Sequence, residues 1–247
     1  MMSWDPHGAE RLKDMQQAVL AVGLDALVHE AAEDVWRANR ARHEPEALFD
    51  DAFTLSILSS RNLANRLFAT VNGDSGLRRA QVSATRDFMA TVLHVGGFDI
   101  RLVKTPHLAA RKPNFVSSFD WRESESRLAA ASRNHEAYAP PIRRPEVSPL
   151  FDMEDPDAAE AARGCKDAFL VWGAEYESGL TAGWLGIPTT TQDRWLAVTS
   201  LWWDELQPHV PRKAEESDAP QSASFEDQPE PTLSISLKPR RAEGSAL

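Results

Sequence analysis

Apolar side chains recur at helical spacing over the first seventy residues and at strand spacing after them. In AERLKDMQQAVLAVG, Leu12, Met15, Val19 and Leu20 fall on one helical face and Gly23 supplies a stop. LDALVHEAAEDVWRANR repeats the pattern through Leu24, Leu27, Val28, Ala31, Val35 and Trp36. Arg37, Arg40 and Arg42 crowd its C-terminal end, where cations suit the helix dipole. Pro45 opens a third segment, PEALFDDAFTLSILSSRNLANRLFATV, in which Leu48, Ala52, Phe53, Ser56, Ser60, Leu63 and Leu67 keep the helical repeat. Its weakest part is 54–60, where polar and β-branched residues would favour a break, and NGDSG at 72–76 reads as a loop.

The period then changes. FMATVLHV and FDIRLVKTP flank Gly96-Gly97, a pairing that predicts a β-hairpin. Alternation places Asp99, Arg101 and Val103 on one face of the second strand and Phe98, Ile100, Leu102 and Lys104 on the other. WRESESRLAAASRNHEAY predicts a short helix that Pro140 and Pro141 end, and EDPDAAEAARG a second short helix. AFLVWGAEY, TAGWLGIP and RWLAVTSLWW follow as strands separated by the turn-like ESG and TTTQD. Short connections favour antiparallel pairing, because a parallel pair needs a long crossover.

The order predicts an α+β fold: N-terminal helices over 1–71, then an antiparallel sheet of about five strands with an inserted helix over 77–206, the two forming a single domain. From residue 207 the chain turns polar and proline-rich, so 207–247 is expected to be a disordered tail. Within it, TLSISLKPRR alternates Leu233, Ile235 and Leu237 with small polar residues before Lys238, Arg240 and Arg241. Such a segment suits addition to a partner's sheet edge, although a solubilising tail would also contain such a patch by chance.

Eight tryptophans and 42 % hydrophobic residues in a chain of 247 are enough for a sizeable core. No run of eighteen apolar residues occurs, and the opening MMSWDPHGAERLKD lacks the basic-then-apolar order of a secretory signal, so a cytoplasmic protein without a membrane segment is expected. The lone Cys165 excludes an internal disulfide and reads as a small apolar filler.

Charge is segregated. Residues 61–144 carry 14 basic against 7 acidic side chains, within a protein whose net charge is −10. The basic groups are mostly arginine, whose planar fork grips carboxylates or phosphates in pairs. Arg101, Lys104, Arg111, Lys112, Arg122, Arg127 and Arg133 fall close together with Phe115, Phe119 and Trp121 interleaved, a combination suited to single-stranded nucleic acid. The competing account pairs these arginines internally with Asp152, Glu154, Asp155 and Asp157.

Three fragments invite catalytic readings and fall short of them. HEAAE at 29–33 resembles the zinc-protease HExxH helix, but Glu33 replaces the second histidine and no third ligand is signalled, which leaves an i, i+4 pair on a solvated helix face. GDSG at 73–76 resembles a serine-nucleophile loop without its partners. Asp99, Arg101 and Lys104 suggest a nuclease strand, but alternation sends Lys104 to the opposite face. No catalytic residue, metal or cofactor is expected.

RHEPEALFDDAFTLSILSSRNLANRLF at 42–68, FDIRLVKTP at 98–106, and FLVWGAEYESGLTAGWLGIP with the following WLAVTSLWWDE resemble a family of uncharacterised actinobacterial proteins of similar size. The resemblance implies genes often lying beside helix-turn-helix regulators and repressor-cleaving zinc metallopeptidases. It therefore implies a bacterial regulatory or defence-related partner in a stress, phage or mobile-element switch, and it carries over no catalytic residue. The leading expectation is a non-enzymatic protein-binding protein, with the tail residues Leu233, Ile235, Leu237, Lys238, Arg240 and Arg241 as a second contact. The alternative is a nucleic-acid-binding protein or nuclease using Arg101, Lys104, Arg111, Lys112, Trp121, Arg122, Arg127 and Arg133.

Overall fold

The computed structural model describes residues 5–87, 90–105, 124–140 and 156–204. Asp5 starts the first helix, α1 (Pro6–Ala21): its carboxylate accepts from the Gly8 amide at 2.8 Å, and Pro6 fills the first turn, where a missing N–H costs nothing. Gly23, at φ 68°, turns the chain into α2 (Leu24–Arg40). α3 (Ala52–Gly73) begins seven residues later than Pro45 would place it, because Asp51 is the capping residue and its side chain accepts from the Thr54 amide at 2.7 Å. It runs through 54–60 unbroken, since Leu55 and Ser59 are buried on its inner face. Asp74 then caps α4 (Ser75–Arg79) through the Gly76 and Leu77 amides. The GDSG aspartate is thus a helix cap, as ordinary turn chemistry would have it.

A six-stranded sheet follows in the order β1-β2-β3-β4-β5-β6. Its strands are β1 (Ser83–Asp87), β2 (Ala90–Val95), β3 (Phe98–Lys104), β4 (Asp167–Ala174), β5 (Thr181–Pro188) and β6 (Trp195–Trp203), with helices α5 (Glu125–Ala137) and α6 (Pro156–Arg163) between β3 and β4. The α+β class holds, and the glycine hairpin forms as expected: Val95 opposes Phe98, with Gly96 and Gly97 at φ 59° and 81°. Two details differ. β1, a short and mostly exposed strand, adds a sixth member that its polar sequence, SATRD, does not announce. β3 and β4 are parallel, the other neighbouring pairs antiparallel, because the segment carrying α5 is long enough for a crossover.

All eight positions of β4 are buried. Ala168, Leu170 and Trp172 join the larger core under α1, α2, α3 and α6, together with Met15, Val28, Leu67 and Ile100. Phe169 and Val171 point the other way, into a smaller core with Val103, Trp195 and the α5 residues Ala130 and Ala131. The helices therefore cover both faces of the central strands, and both strand periodicity and helix amphipathicity are spent on that burial.

Candidate functional site

The C-terminal ends of the parallel strands β3 and β4 point toward the α2–α3 corner, and there the core opens. Ends of parallel strands are where open sheets commonly bind ligands, since the connections diverge and leave a crevice. A cavity of about 660 Å³ lies at this corner. It is lined by Trp36 at the end of α2, His43 and Pro45 of the following loop, Ala52, Phe53, Leu55 and Ser56 of the first turns of α3, Lys104 of β3, Ala174 of β4 and Tyr176 just beyond it.

Each wall is fixed. The Trp36 indole N–H donates to the Glu175 carbonyl at 2.8 Å, which orients the ring. The His43 ring lies with Nδ1 3.4 Å from the Tyr176 hydroxyl and Nε2 3.3 Å from the Asp51 carbonyl, while the Arg40 guanidinium stacks on Tyr176. Lys104 enters from the strand, its Nζ 5.1 Å from the Trp36 ring centre and 5.3 Å from that of Trp172. No carboxylate pairs with it among the described residues. Burial pushes its amine down from the ordinary 10.5 to about 8. The site thus sets a desolvated cation between two indoles at the wall of a largely apolar cavity, a combination that favours an anionic group over a cationic one.

Apolar exposure accompanies the cavity. Phe53 of the lining is 70 % exposed, and Leu48 and Phe49 of the loop before α3 are 67 % and 87 % exposed. Phe49 also has φ 57°, the left-handed region that a bulky side chain adopts only where its surroundings impose it. An exposed aromatic on strained backbone is poorly explained by folding and well explained by contact.

The basic residues singled out in the sequence separate. Arg101 is buried on the α5 side of the sheet and donates to Asp87 at 2.6 Å, with its Nε lacking a partner. Arg133 forks onto the buried Asp167, Nε donating at 2.9 Å, and this pairing raises the guanidinium pKa further. Arg127 lines a second cavity of about 260 Å³ with Arg61 and Asp87, and is pushed down first by burial and then by the neighbouring charge of Arg101. Lys104 points to the opposite side of the sheet from Arg101, as alternation requires. The strand carboxylates Asp87 and Asp167 are the partners of Arg101 and Arg133, and Asp157 lies in the first turn of α6, whereas Asp152, Glu154 and Asp155 lie outside the described residues, as do Arg111, Lys112, Phe115, Phe119, Trp121 and Arg122. The tail residues Leu233, Ile235, Leu237, Lys238, Arg240 and Arg241 lie outside them too.

Cys165 is buried against the Asn134 carbonyl, and desolvation pushes its thiol up to about 11, which starves it of the reactive thiolate. One cluster joins residues that the sequence keeps far apart: His29 and Glu33 of α2 meet Asp204, just past β6. The groove residues of 45–56 were legible only as helix, because Leu48 and Phe53 fall on the same apolar repeat as the buried Leu63 and Leu67 yet remain exposed. No protein-family model matches the chain, and no curated protein or solved structure is significantly similar to it. No described helix is long and apolar enough to cross a membrane.

Proposed function

We propose that the protein is a non-enzymatic binding protein whose groove between the α2–α3 corner and the ends of β3 and β4 takes an apolar, carboxylate-bearing segment of another protein. The observation that carries this reading is the run of exposed Leu48, Phe49 and Phe53 leading into a cavity whose lining joins Phe53 to an aromatic-framed Lys104 that pairs with no carboxylate among the described residues. Apolar anchors give affinity, and the buried cation gives direction by accepting a carboxylate and rejecting a cation. The partner's chemistry is thus an amphipathic helix or an extended segment with leucine- or phenylalanine-type anchors and an acidic end.

The resemblance to proteins encoded beside regulators and repressor-cleaving metallopeptidases makes such a neighbour, in the bacterial cytoplasm, the first partner to try. The test uses purified neighbour proteins and this protein carrying Phe49→Asp with Phe53→Asp. Both rings are exposed, so the melting temperature stays within a degree or two of the parent, while affinity drops by roughly thirtyfold or more, the loss of about 2 kcal/mol that a buried aromatic anchor carries. Binding that survives both substitutions would place the contact elsewhere.

A further inference from the structure

We propose that His29, Glu33 and Asp204 form a binding site for a divalent transition-metal ion, with zinc the best-suited common ion. His29 and Glu33 lie one helical turn apart on α2, and Asp204 reaches them from the end of the sheet's edge strand β6. Their ligand atoms lie within 4.8 Å of one another, with His29 Nε2 3.6 Å from Glu33 Oε1 and 2.8 Å from Asp204 Oδ1.

Two acids face one imidazole nitrogen, which has a single N–H to give. The shorter contact is to Asp204, with the Glu33 carboxylate at 3.6 Å, and no lysine or arginine pairs with either acid among the described residues. A cation between the three groups satisfies both carboxylates and the imidazole lone pair together. Ligands about 2.1 Å from a tetrahedral metal stand roughly 3.4 Å apart, so the His29–Glu33 spacing already fits and the His29–Asp204 spacing opens by roughly half an ångström.

The supporting groups favour this. Asp204 Oδ2 accepts from the Thr181 amide at 2.8 Å and its hydroxyl at 2.7 Å, which fixes the carboxylate and leaves Oδ1 turned to the site. Trp202 stacks on the His29 ring with centroids 5.2 Å apart, and the same indole N–H donates to Thr181, so imidazole and carboxylate are held by one connected frame. Imidazole among the donors selects zinc, iron or nickel over magnesium and calcium, and three protein ligands leave room for water or a partner's side chain. The sequence supplied two of the three residues and read them as a solvated i, i+4 pair: HEAAE sets them at helical spacing, and the third stands about 170 residues later in WWDE, joined by the fold.

The test is calorimetric titration of zinc chloride into metal-stripped full-length protein and into His29→Gln, Glu33→Gln, Asp204→Asn and, as a control, His94→Gln. The site predicts one zinc per chain, weakened at least about tenfold by each of the first three changes and unaffected by the control. No stoichiometric zinc, or the same affinity in all three variants, overturns it, as does an equal loss in the control. Should Asp204→Asn misfold, Glu33→Gln still decides, because Glu33 pairs with His29 and its side chain is 43 % exposed, so the change is mild.

Discussion

Lys104 concentrates the cost of the proposed groove in one side chain. The unfolded chain holds its proton up to about 10.5, whereas the folded protein releases it near 8. Between these values the unfolded state binds more protons, so stability rises with pH there, and below about 8 the full penalty stands. That penalty is on the order of 3 kcal/mol, partly offset by the contacts with Trp36 and Trp172, each worth about 0.5–2 kcal/mol. Lys104→Met is therefore predicted to stabilise the protein by about 1–3 kcal/mol at neutral pH and to flatten the rise in stability above pH 8. Guanidinium melts of both proteins at pH about 7 and about 9.5 measure this directly; parallel pH profiles would show that Lys104 is solvated. The side of β3 on which Lys104 lies was legible from alternation alone. Its burial was not, because that depends on Trp36 and Trp172 arriving from α2 and β4.

At the scale of elements, β5 and β6 show how side-chain size sets a sheet. Gly183 and Gly186 leave the space that the Trp202 and Trp195 rings occupy on the neighbouring strand, and a Cβ at Gly183 would clash with the Trp202 ring. Gly183→Ala must displace that indole, which also stacks on His29 and bonds Thr181. It is predicted to cost about 2–3 kcal/mol by overpacking and to weaken zinc binding along with it, read from thermal melts and the same calorimetry. A neutral effect on both would mean that Trp202 has another place to go. The strands TAGWLGIP and RWLAVTSLWW were evident from composition, and so was the Gly96-Gly97 turn. β1 was not, since SATRD offers no apolar alternation and is recruited by pairing with β2. The parallel β3–β4 pair was hidden because local sequence reports neighbours, and this pair is separated by the whole α5–α6 connection.

For the whole molecule, two arginines of the basic middle take part in assembly. Arg101 and Arg133 of the basic middle reach Asp87 and Asp167 within the sheet, and Asn134 ties α5 to the Asp167 and Pro188 carbonyls at 2.8 and 3.0 Å. These contacts hold the crossover helix on the second face of the sheet, and with it the parallel strands whose ends frame the groove. Sequence reasoning located the layers and most elements because burial leaves a periodic trace. It missed the groove and the His29–Glu33–Asp204 cluster because both are made of residues that come together only across α2, α3, β3 and the end of β6.

The measurement that bears most directly on the groove is a fluorescence-anisotropy titration with two labelled peptides, identical in a short leucine- and phenylalanine-rich sequence, one ending in a free carboxylate and the other in an amide. At neutral pH the carboxylate form is predicted to bind about tenfold more tightly, the worth of a charge-assisted contact in a dry site. That preference should vanish in Lys104→Met, and both peptides should be lost in Phe53→Asp. Equal binding of the two peptides, or a preference that survives the loss of Lys104, would contradict the assignment of this groove.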